Sequence, residues 1–90
     1  MIENDLDAAI RLLNKEKPHW LKHSPLRQEV LANMCFNLGG KLFNFRKMWA
    51  ALEQNPPNYS TAADEMLNSR WALQVGDRAV RLANQMRDNR

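Results

Sequence analysis

His19 and His23 stand four residues apart, the spacing that puts two imidazoles on one helical face where they could hold a metal ion. Pro18 and Pro25 bracket them in the stretch where helix is least favoured, and no third ligand lies nearby. The expectation is two surface histidines in a loop, with no metal site. Cys35 falls inside an apolar run and reads as a small buried hydrophobe, not as a low-pKa nucleophile. As the only cysteine it makes neither an internal disulfide nor a four-cysteine metal centre. Asp64-Glu65 is the one adjacent carboxylate pair outside the start of the chain, but helical neighbours point about a quarter-turn apart and cannot flank one bond. These acids are expected to stabilise a helix N-terminus. No catalytic residue, metal or cofactor is therefore expected.

Aromatic and basic residues offer binding instead. Trp20, Trp49 and Trp71, with Phe36, Phe43 and Phe45, are many rings for ninety residues, and most should be core. Phe43 and Phe45 are hard to bury on one helical face, so the pattern leaves one of them exposed near Gly39-Gly40. An exposed ring beside Asn37 and Asn44 suits a sugar or a base, and periodicity does not choose between them. Residues 1–68 hold eight Lys/Arg and eight Asp/Glu, so the net charge of +3 comes from residues 69–90, with five arginines against Asp77 and Asp88. A phosphate-binding stripe is one reading of those arginines. Nothing resembles a recognition helix rich in Asn, Gln and Arg after a tight turn, so a solvated basic face is expected and nucleic acid is not the expected partner.

The elements that must position these residues all have helical period. Leu6, Ala9, Ile10 and Leu13 form one stripe on a first helix near residues 4–16, capped by Asn4 or Asp5 and ended by Pro18. Ser24-Pro25 starts a second, since serine caps the free N–H groups and proline at the first position gives up nothing. Leu26, Val30, Leu31, Met34, Cys35 and Leu38 cover a broad face, so this helix reads as central. Gly39-Gly40 stops it. A third helix is expected near 42–54, with Phe45, Met48, Trp49 and Leu52 on one stripe, until Asn55-Pro56-Pro57-Asn58 breaks the chain. Ser60 or Thr61 begins a fourth. Gly76-Asp77 turns the chain, with Asp77 capping a last helix striped by Ala79, Leu82, Ala83 and Met86.

The class follows. Ninety residues are expected to make one small domain, residues 1–90, and the composition is ordinary for a globular chain. No apolar run approaches the roughly 18 residues that span a bilayer, so no membrane insertion is expected. Glu3, Asp5 and Asp7 oppose a basic signal-peptide start, which implies cytoplasmic synthesis without a signal peptide. The fold class is all-α, a compact five- to six-helix domain around the helix near residues 25–38.

Three ordered stretches carry a resemblance. "NMCFNLGG" at Asn33–Gly40 closely resembles the helix-ending motif of phage lysozymes of the T-even bacteriophage kind. "NDLDAAIRLLNKEKP" looks like the stretch leading into that family's central helix. "AADEMLNSRWALQVGDRAVRLANQMR" is similar to its C-terminal run. Together they cover nearly the whole chain.

The resemblance implies a muramidase of glycoside hydrolase family 24, an endolysin that cleaves peptidoglycan at the bacterial cell wall or periplasm. Only the helical lobe is matched; the lobe with the small β-sheet is absent. Glycoside hydrolysis needs two carboxylates about the scissile bond. In the family these come from the first helix and the sheet lobe, so the ninety residues are expected to be inactive alone and to form one wall of the glycan cleft. The cleft residues implied are Phe36 and Asn37, with Phe45 and Arg70 at further positions. Met48 and Glu65 depart from short polar residues of the family, and the Pro56-Pro57 loop carries one extra residue. Expected partners are a peptidoglycan glycan strand, a separate N-terminal lobe, or a second copy covering the apolar surface that the missing lobe would leave. The alternative is a small phage-encoded interaction or regulatory protein that retains only the helical scaffold. A basic helical nucleic-acid binder ranks below both.

Overall fold

The computed structural model describes residues 5–90, with side chains from Asp7 onward. The cap expected of Asn4 or Asp5 and the core role of Leu6 lie outside the described residues and side chains. The described residues are all-helical, with six α-helices: α1 Asp5–Glu16, α2 Pro25–Leu38, α3 Arg46–Leu52, α4 Tyr59–Leu67, α5 Arg70–Val75 and α6 Asp77–Asp88. Short 3₁₀ helices at Pro18–Lys22 and Gly39–Asn44 precede and follow α2. The chain divides into two units, Met1–Asn44 and Phe45–Arg90.

In the first unit α1 packs on α2, and both touch the 3₁₀ helix at 39–44. Ser24 caps α2 as its Oγ accepts from the Arg27 N–H at 3.3 Å, and Pro25 occupies the first turn. Val30, Leu31, Met34 and Cys35 of α2 are buried, as are Ala9 and Leu13 of α1. The Cys35 thiol lies 3.6 Å from the Ala9 carbonyl oxygen, to which it donates, joining the two helices. Trp20, in the 3₁₀ helix after α1, is buried and donates its indole N–H to Asn14 Oδ1 at 2.7 Å. Gly39 ends α2 at φ 59°, a conformation costly for a residue with a Cβ.

In the second unit α4 packs against α3 and α6, and α5 against α4 and α6. Alanines on both partners, Ala62 and Ala63 of α4 and Ala79 and Ala83 of α6, are buried. Small side chains let two helix axes approach closely. Met48, Trp49, Ala51, Leu52, Met66, Trp71, Leu82 and Met86 complete that unit's buried set. Asn58 caps α4 by accepting from the Thr61 N–H at 3.0 Å, and Ser69 caps α5 by accepting from the Ala72 N–H at 3.2 Å.

Four local expectations need correction. The third helix starts at Arg46, because residues 39–44 wind as 3₁₀ and Phe45 leaves the helical region at φ −76°, ψ 63°. The fourth starts at Tyr59, one residue before the earlier of the two expected starts, because Asn58 supplies the cap. Asp77 caps nothing. Gly76, at φ 62°, is both the end of α5 and the cap position of α6, and Asp77 sits in the first turn, where its charge suits the helix dipole. Asp64 lies past the first turn of α4 and pairs with Arg87 of α6 at 2.8 Å, so it joins two helices instead of steadying an N-terminus.

Candidate functional site

Phe36 and Asn37 occupy the last turn of α2, immediately before the Gly39 stop. Their position follows from the register of that helix. Met34 and Cys35 are directed into the core, so the next two residues turn outward, leaving Phe36 48% exposed and Asn37 exposed. A large ring in water is the exception in a chain whose three tryptophans are all buried. Phe43 and Phe45, one of which was expected outside, are both half-buried; the exposed ring is Phe36. An aromatic face offers apolar contact, and the neighbouring amide both donates and accepts hydrogen bonds.

Phe45 and Arg70 belong to the second unit. Phe45 stands half-buried at the position before α3, without a side-chain capping bond. Arg70 is exposed at the first residue of α5. It lines a shallow depression of about 390 Å³ with Leu67, Asn68, Ser69 and Leu73. Leu73 is 85% exposed, an unusual position for a leucine and one that no periodicity in the sequence marked. Phe36 and Asn37 are thus adjacent on one turn, whereas Phe45 and Arg70 lie on separate elements of the other unit.

The other reactive side chains have structural roles. His23 was expected at the surface but is buried, 4% exposed, at the junction between the 3₁₀ helix and α2. Gln28 donates from Nε2 to the His23 carbonyl oxygen at 2.7 Å and to the Leu21 carbonyl oxygen at 3.1 Å, fastening this junction to α2. Desolvation lowers the His23 pKa from 6.5 to about 4, and the nearby Lys22 and Arg27 charges add to that effect. His19 stays exposed, and no cluster of three His, Cys, Asp or Glu suitable for a metal occurs among the described residues. Burial pushes the Cys35 thiol pKa up, away from a reactive thiolate.

No family model, curated protein or solved structure matches the chain. No helix among the described residues is long and apolar enough to cross a membrane.

Proposed function

We propose that these ninety residues are the helical lobe of a phage-type lysozyme and bind the peptidoglycan glycan strand through Phe36 and Asn37. The observation that carries this reading is the exposed ring and amide in the last turn of α2, within the "NMCFNLGG" stretch that resembles the lysozyme motif. A sugar has a C–H face for the ring and hydroxyl or acetamide groups for the amide. Phe45 and Arg70 are the further contacts the resemblance supplies. None of the four is a carboxylate, and glycoside hydrolysis takes two. The role proposed for Phe36 and Asn37 is thus to contact the strand in a glycan cleft at the bacterial cell wall, with the acid and its partner supplied by other residues.

Co-sedimentation with purified, nucleic-acid-free Gram-negative sacculi, with dye release followed in the same tube, tests the reading. The expected result is retention without release. Phe36→Ala and Asn37→Ala, both at exposed positions, should each weaken retention by roughly fivefold, the order of one lost polar or ring contact. Wild-type-like retention in both variants would remove the assignment, and dye release by the chain alone would overturn the binding-wall role.

A second reading is a small phage-encoded interaction or regulatory protein on the same scaffold. Exposed Leu67 and Leu73, which line one depression, favour it, because adjoining exposed apolar side chains mark partner surfaces. It predicts no retention on sacculi, together with association that is lost in Leu73→Gln.

A further inference from the structure

The loop between α3 and α4 was expected only to break the chain. Five of its residues, Gln54, Asn55, Pro56, Pro57 and Asn58, together with Tyr59 at the start of α4, line an open depression of about 580 Å³ in the second unit. None of them is Asp, Glu, Lys, Arg or His, so the depression offers neither an anion nor a cation a counter-charge. It offers three side-chain amides, two proline rings and a half-buried tyrosine ring in six consecutive positions.

The backbone holds this arrangement. The Asn58 N–H donates to the Ala51 carbonyl oxygen at 2.9 Å, tying the end of the loop back to α3. Asn58 Oδ1 accepts from the Thr61 N–H at 3.0 Å, which fixes that side chain and leaves its NH₂ group out of the bond. Proline rings fix φ at two successive residues, so less freedom is lost when a ligand orders the loop.

We propose that the 54–59 depression is a binding site for a neutral N-acetylated sugar, separate from Phe36 and Asn37. Amide side chains present a donor and an acceptor together, the pairing that a hydroxyl or an acetamide requires. Flat or compact apolar rings accept the C–H face of a pyranose. The choice of an N-acetylated sugar rests on the glycan-binding reading above, whereas the location rests on the loop alone.

The test is titration of the ¹⁵N-labelled chain with the tetramer of N-acetylglucosamine, followed by amide chemical shifts. Saturable shifts are expected at Asn55, Asn58 and Tyr59. Gln54→Ala and Asn55→Ala, at exposed positions, should each weaken binding there by roughly fivefold. Tyr59→Phe should keep it, and Tyr59→Ala should abolish it while the remaining spectrum stays dispersed. The same shifts persisting in Asn37→Ala would show that the two sites are independent, even if retention on sacculi fails. Shifts confined to residues 33–40, or none at 54–59, would overturn this site and leave the Phe36–Asn37 reading to its own assay.

Discussion

At the residue scale, His23 sits buried between two cationic neighbours in sequence, Lys22 and Arg27, with its pKa at about 4. The native imidazole stays neutral until about pH 4, whereas the unfolded chain takes up its proton near 6.5. The folded state therefore keeps its full stability above pH 6.5, loses it as pH falls toward 4, and levels off below. The loss expected from a shift of this size is on the order of 2–3 kcal/mol. Urea midpoints measured across that range should fall with acid, and His23→Gln should flatten the trend. An unchanged slope in the variant would assign the acid sensitivity elsewhere. Leu31 supplies a second prediction, since it is fully buried in α2. Leu31→Ala should cost about 2–5 kcal/mol in the same assay. A cost under about 1 kcal/mol would mean that the neighbouring side chains collapse into the space.

At the element scale, what was legible in the sequence was the strong punctuation. Ser24-Pro25 and Gly39 bound α2 where expected, because a hydroxyl cap, a proline and a positive-φ glycine each act locally. The α3 start was not legible, since a six-residue 3₁₀ turn and an α-helical turn place apolar residues at nearly the same spacing. Asp77 was misassigned because α5 and α6 share Gly76 as their only joint, leaving no room for a separate capping residue. The joint before α5 is better supported. Ser69 accepts from the Ala72 N–H at 3.2 Å and donates its hydroxyl to the Met66 carbonyl oxygen at 2.6 Å, so one side chain ends α4 and begins α5. Ser69→Ala should cost about 1–2 kcal/mol. Removing the more exposed Asp64–Arg87 pair with Asp64→Asn should cost under about 1 kcal/mol. Thermal unfolding of the two variants checks the order.

At the scale of the whole molecule, charge decides what kind of surface binds. The surplus arginines lie in residues 69–90, and of the residues proposed to touch glycan only Arg70 is ionised, against a strand recognised through its neutral hydroxyl and acetamide groups. Retention on sacculi should therefore change by less than about twofold between roughly 50 and 200 mM salt, whereas six or more phosphate contacts would lose about 10³–10⁵ in affinity. A steep salt dependence would return the arginines to the leading place. The all-α class was readable because every long segment has helical period, and the three tryptophans were readable as core from size alone. Exposure at Phe36 and burial at His23 were not readable, because each depends on which residues its neighbours commit to the interior.

Cys35 has one more consequence. As the chain's single sulfhydryl, enclosed where α1 meets α2, it can be alkylated only when the first unit opens. Its labelling rate is then a clock for that unit alone, read by mass without any engineered probe. Comparing it with the exchange of amides in α4 and α6 would show whether the two halves of the chain come apart together or one at a time.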